Sequence, residues 1–157
     1  MIKSSDLTNW LRELPADLRI IHDFGNANAP DAIAGRHRLV LAPDGGVELE
    51  WWDGDRYGRW TARVPAALVR RFADLLIEAK FPDFPRLPLR PGPSFRVFAL
   101  QRGAESSQAI MARNPLEGQP PFEELSITAD SLCAQIRGEI PGMYNDIPQA
   151  ISDVQPA

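Results

Sequence analysis

The sequence predicts an α+β fold: an antiparallel sheet of about five strands packed against two long helices, with a short helix at the N-terminus. Three observations predict it. Residues 36–64 read as a three-stranded meander, and residues 94–113 as a second hairpin. Two longer stretches repeat apolar residues at helical spacing.

From the N-terminus, Ser5 to Leu14 sets Leu7, Trp10, Leu11 and Leu14 at i, i+3, i+4 and i+7, an amphipathic helix that Pro15 stops. Leu18 to Phe24 reads as a short strand, which an alternative α/β sandwich would add at a sheet edge. Gly25 to Ala34 carries Asn, Ala, Pro and Gly without periodicity and reads as a loop.

Turn chemistry derives the meander. Ala42-Pro43-Asp44-Gly45 suits a type I turn, with Pro second, Asp third and glycines free to take positive φ. A three-residue loop with a glycine bulge then pairs Leu41 with Val47, Leu39 with Leu49 and His37 with Trp51. Asp53-Gly54-Asp55-Arg56 has Gly first in a two-residue loop, the type II′ choice. That register pairs Val47 with Ala62, Leu49 with Trp60 and Trp51 with Gly58. Both registers put Val47, Leu49 and Trp51 on one apolar face. A slip of one residue in either would destroy the agreement.

The opposite face lines up Val40/Glu48/Thr61, Arg38/Glu50/Arg59 and Arg36/Trp52/Tyr57. Trp52 and Tyr57 become neighbours, with Arg36 in reach of a cation–π contact. Such a face is solvated and laced with ion pairs, covered by a helix, or bound by a partner. Trp, Tyr and Arg are the residue types enriched in binding hot spots. The candidate partner-binding residues are therefore Arg36, Arg38, Glu50, Trp52, Tyr57 and Arg59.

After Pro65, Leu68, Phe72, Leu75, Leu76 and Ala79 form a helical stripe through Lys80. Arg70, Arg71, Asp74 and Glu78 line its other side, where Arg70–Asp74 and Arg71–Asp74 or Asp74–Glu78 are neighbours at helical spacing. The proline-rich residues 81–93 suggest an extended strap with Phe81, Phe84 and Leu87 tucked inward. Phe95 to Gln101 is apolar on both faces, which argues for a central strand, and it pairs with Ser107 to Ala112 across Arg102-Gly103-Ala104-Glu105. Asn114 to Pro120 reads as a loop. Pro121 to Arg137 is the last helix, with Phe122, Leu125, Ala129, Leu132, Cys133 and Ile136 inward and Gly138 as its stop. Residues 1–138 are expected to form one globular domain, and 139–157 a tail docked on it, with a short helical turn after Pro148.

Chemical signatures are scarce. The single cysteine, Cys133, excludes an internal disulfide and a multi-cysteine zinc site, and its place on an apolar stripe makes it a buried thiol. His22 and His37 lack a partner at ligand spacing and read as structural. Asp53 and Asp55 are explained by their turn, and Asp44-Gly45-Gly46 is a hairpin turn rather than a phosphate cradle. No nucleophile elbow frames Ser94, Ser106 or Ser107. No catalytic residue, metal or cofactor is expected.

The net charge is −4, with 17 Lys and Arg against 21 Asp and Glu. It gives no push toward nucleic acid or anionic membrane. A run of arginines (Arg86, Arg90, Arg96 and Arg102) near aromatic residues is the feature that favours nucleic acid, against the acidic total. The basic block, residues 56–102, is flanked by acidic ends, so its arginines are expected to pair partly with them. No apolar run reaches membrane-spanning length and the N-terminus lacks an apolar signal core, so the expected location is the cytoplasm. The expected function is a small protein-binding module, inhibitor- or immunity-like, that occludes a protein partner. The alternative is a small enzyme or ligand-binding domain with a pocket between sheet and helices.

Overall fold

The computed structural model describes residues 2–25, 36–53, 56–84, 95–112, 120–138 and 151–157. Along the chain these are α1 (Ser4–Glu13), β1 (Leu18–Gly25), β2 (Arg36–Leu41), β3 (Gly46–Asp53), β4 (Arg56–Arg63), α2 (Ala66–Glu78), β5 (Phe95–Arg102), β6 (Glu105–Ala112), α3 (Pro120–Ile136) and β7 (Ser152–Pro156). The class is α+β, but among the described residues the sheet has seven strands rather than about five, in the order β6-β5-β1-β2-β3-β4-β7. Every neighbouring pair is antiparallel.

Both meander registers are as expected: Leu39 faces Leu49, which faces Trp60, and His37 faces Trp51, which faces Gly58. The first turn closes with the Gly45 amide donating to the Ala42 carbonyl and the Ala42 amide donating to Gly46. The Asp44 carboxylate accepts the Gly46 amide at 2.9 Å. Gly45 sits at φ 99°, and a Cβ there would collide with the Val64 carbonyl, which its own carbonyl approaches to accept the Val64 amide at 2.8 Å. Only glycine meets both demands. The tip of the second turn, residues 54 and 55, lies outside the described residues.

The two added strands correct the expectation. Residues 18–25 are not an edge but the strand that joins the meander to the hairpin: Ile20 pairs with Leu41 on one side and Leu100 on the other. Leu18 and Ile20 face the core while Ile21, on the opposite face, is buried between its partners Val40 and Ala99. Apolar residues on both faces are the mark of a central strand, here as in β5. The second addition is β7, which pairs with β4. The chain from Ile151 is therefore extended rather than helical, and residues 139–150 lie outside the described residues.

The three helices close the face carrying Leu39, Leu49 and Phe98. Leu7 and Leu11 of α1, Phe72 and Leu76 of α2, and Leu125 and Leu132 of α3 bury against it. Val69 and Ala73 join the α2 stripe and Leu68 is only half-buried, so the stripe is wider than the spacing implied. Phe81 and Phe84 turn inward as expected, and Leu87 lies outside the described residues. Arg70 and Arg71 do not pair along their own helix. Arg70 donates to the Leu11 and Arg12 carbonyls at 3.0 and 2.8 Å, capping the C-terminus of α1. Arg71 grips Glu124 of α3 with two hydrogen bonds of 3.0 and 2.7 Å. Tertiary partners outcompete i,i+4 pairs because each arginine reaches a fixed acceptor on a neighbouring helix. Among the described residues no helix is long and apolar enough to cross a membrane.

Gly45→Ala should lose roughly 1–3 kcal/mol, from positive φ and the contact with Val64. Gly103→Ala, at φ 60° but with open space around it, should lose less. Urea midpoints of the two variants read the difference. Equal losses would remove the close approach as the reason for Gly45.

Candidate functional site

On the outer face of the meander, β2, β3 and β4 bring Arg36, Trp52 and Tyr57 into one cross-strand row and Arg38, Glu50 and Arg59 into the next. The Trp52 and Tyr57 rings are 5.5 Å apart and inclined at 50°, and the Arg36 guanidinium lies 5.3 Å from the centre of the Trp52 ring. Tyr57 is 58% exposed, the most exposed large apolar residue described. Trp52 beneath it is half-buried. Arg59 pairs diagonally with Glu48 at 3.7 Å rather than straight across with Glu50. Both side chains of that pair are well exposed, so it contributes little. The described helices lie on the opposite face.

Sequence reasoning missed Asp23. Because β1 lies beside β2, Asp23 stands directly across from Arg38 and extends the charged row to Asp23–Arg38–Glu50–Arg59. Burial raises the Asp23 carboxyl pKa above its ordinary value; Arg38 and Arg36 oppose that shift and Glu50 adds to it. Its Oδ1 is buried without a hydrogen-bond partner. Only the pairing of β1 with β2, which no local turn signals, could have revealed it.

On the inner face the structure builds a second constellation where β1, β2, β5 and α3 meet. Arg96 is only 4% exposed and grips Asp130 of α3 through two hydrogen bonds of 2.6 and 2.7 Å. Arg96 Nη1 also lies 3.3 Å from His22 Nε2, and His22 Nδ1 lies 3.3 Å from His37 Nε2. A guanidinium can only donate, so His22 Nε2 accepts and its proton sits on Nδ1, which donates to His37 Nε2. Neutral His37 therefore carries its proton on Nδ1, a buried donor with no partner, like the Trp51 indole N–H next to it. The His37 ring stacks on Phe24 and on Trp51, 5.2 and 5.7 Å between centres, each at 17°. The Arg137 guanidinium lies 3.5 Å from the Trp51 ring centre.

Burial lowers the His37 pKa to about 4; Asp130 opposes the shift, and Arg96 and Arg137 add to it. His22 falls well below its ordinary value through burial, then the charges of His37 and Arg96. Both imidazoles are thus neutral at pH 7. Burial also pushes the Cys133 thiol far up, as its place on the apolar stripe implies. Sequence reading placed Arg96 in a basic run. The pattern FRVFAL contained the signal, since Arg96 shares the parity of the buried Phe98 and Leu100. Arg102 pairs with Asp17 at 3.0 Å and lies 5.7 Å from the Trp10 ring centre. Arg96 is withdrawn from solvent, Arg102 is paired at the surface, and Arg86 and Arg90 lie outside the described residues.

Hollows lined by described residues open elsewhere. One of about 450 Å³ lies on the outer face beside β7, between Arg19, Asp44, Glu48, Arg63 and Gln155. Another of about 630 Å³ lies between α1 and the β5–β6 turn, around Asp6, Trp10, Glu13 and Arg102. Among the described residues no cluster of His, Cys, Asp and Glu side chains could hold a metal ion. The sequence matches no protein-family model and no curated protein.

The histidines carry a pH dependence. Between about pH 4 and the unfolded value of 6.5 the unfolded chain binds more protons at His37 than the folded one. Stability is therefore full above that window and falls as pH drops through it, by roughly 3 kcal/mol for His37 alone. His22 acts in the same direction. Urea midpoints measured from about pH 7 to about pH 5 should fall for the wild type and fall less for His37→Gln. An identical slope in both proteins would contradict the buried neutral imidazole.

Proposed function

We propose that this protein is a small protein-binding module that occludes a protein partner, in the manner of inhibitor and immunity proteins, through the outer face of β2–β4. The observation that carries the reading is the Trp52–Tyr57 pair, an exposed tyrosine standing over a half-buried tryptophan with Arg36 beside it. Rigid aromatic rings on a sheet supply contact area at low entropy cost. The row Asp23, Arg38, Glu50 and Arg59 next to them alternates in charge and would fix the orientation of a partner of matching pattern. Opposite faces of β3 divide the labour: Trp51 contributes to the folded body, Trp52 to the surface.

The second reading is a ligand-binding or catalytic domain with a pocket between sheet and helices. The unpartnered donors His37 Nδ1 and Trp51 Nε1, buried beside the Arg96–Asp130 pair, favour it. Weighing against it, both imidazoles are buried and held neutral, and the space beside them is filled by Phe24, Phe98 and Trp51.

Binding and folding should separate in mutants. Trp52→Ala and Tyr57→Ala should each weaken a partner captured by the wild-type protein by about 2 kcal/mol or more. Their melting temperatures should stay close to wild type, because both side chains meet solvent. Trp51→Ala should lower stability by more than either, by roughly 1–3 kcal/mol, because Trp51 is half-buried but stacks on His37 and under Arg137. Calorimetric titration of the captured partner, with thermal melts of the same variants, measures both quantities. A partner that binds both surface variants as tightly as wild type would remove this face as the interface.

A further inference from the structure

The two edges of the sheet are built differently. At one, β7 is only five residues long. Its pairing with β4 shifts register between Thr61 and Arg63, Asp153 takes φ 53°, and Pro156 ends it. A short strand, an irregular backbone and a proline are the devices that discourage further pairing. At the other edge β6 spans Glu105–Ala112 with unbroken register against β5. From Ser106 to Ala112 it has no charge, no proline and no glycine. Among the described residues, that edge carries none of the usual guards from Ser106 onward.

Hairpin geometry shows which backbone groups are available there. Gly103 and Ala104 form a two-residue loop closed by Arg102 and Glu105. The closing pair of such a loop exchanges both of its hydrogen bonds, and along an antiparallel pair the bonded positions then alternate. Glu105, Ser107, Ala109 and Met111 therefore bond to β5, while Ser106, Gln108, Ile110 and Ala112 turn their N–H and C=O groups outward. Ser106, Gln108 and Ile110 are exposed, and Ile110 is an apolar side chain left 43% open to solvent.

We propose that β6 pairs with β6 of a second copy of this chain, antiparallel about a two-fold axis at Ala109, joining two sheets into one. In that register every outward-facing residue meets another: Gln108 lies opposite the second copy's Ile110, and Ser106 opposite the second copy's Ala112. The occupant is a second copy because the run complements itself under a two-fold axis. In this register residues near the axis lie diagonal to their own copies, so a charged run would crowd like charges there, and this run has none. The meander lies three or more strands away, past β5 and β1, so the dimer leaves the Trp52–Tyr57 face of each copy open.

Sedimentation equilibrium from about 1 to about 200 micromolar tests this, with amide exchange read at the same concentrations. The mass should rise from the 17.5 kDa of one chain toward twice that value. The amides of Ser106, Gln108 and Ile110 should slow in exchange as it does. Gln108→Pro deletes an outward N–H and leaves the β5 ladder intact, so the dissociation constant should rise on the order of tenfold or more. Ile110→Lys changes no backbone group and should do the same by setting a charge beside the axis, which settles the matter should the proline variant not fold. A single-chain mass throughout, with those amides unprotected, overturns the proposal. So does a dimer that survives both substitutions, since its interface would then lie elsewhere, for example in exchanged β7 strands.

Discussion

The buried guanidinium of Arg96 constrains much of the rest. A cation this far from water costs several kcal/mol unless an anion and acceptors meet it. Asp130 supplies the anion, which fixes the height and rotation of α3 over β5. His22 supplies an acceptor, which sets its tautomer and, through it, that of His37. One arginine thus ties β1, β2, β5 and α3 at a single point. Replacing such a pair by apolar residues is often tolerated, whereas removing one partner leaves a buried charge uncompensated.

Charge is distributed by the same logic elsewhere. The basic middle of the chain turns to its acidic ends: Arg102 to Asp17, Arg71 to Glu124 and Arg96 to Asp130. Two of these pairs are exposed and contribute little individually. Together they orient α2 against α3 and the β5–β6 turn against the end of α1. With these arginines engaged by acidic partners, Arg36, Arg38 and Arg59 remain on the meander face near the half-buried Trp52 and the exposed Tyr57.

The sheet separates roles by face and by edge. Its inner face carries the helices. Its outer face carries the aromatic pair and the alternating charged row. One edge ends in an irregular strand whose five side chains are all exposed, held through backbone bonds and the half-buried Ile151 beside it. The other ends in a long regular strand.

The meander was legible because everything that determines it is local. Two turns of a few residues set two registers, and the period of two then places Trp51 on the helix-bearing face and Trp52 on the other, although the structure leaves both half-buried and Trp51 outside the core cluster. The helices were legible from their apolar spacing, and so was burial of Cys133. Trp52, Tyr57 and Arg36 could thus be grouped from sequence alone. The centrality of β1, the β4–β7 pairing, the place of Asp23 beside Arg38 and the Arg96–Asp130 pair could not. Asp23 and Arg38 stand 15 residues apart in the chain, and Arg96 and Asp130 34 apart, and no local turn chemistry in the sequence fixes these pairings. A one-dimensional pattern shows which face a residue is on, but not which strand lies next to it. That choice belongs to the tertiary structure, where burying Ile21 between two strands and matching one buried charge leave β1 in the middle.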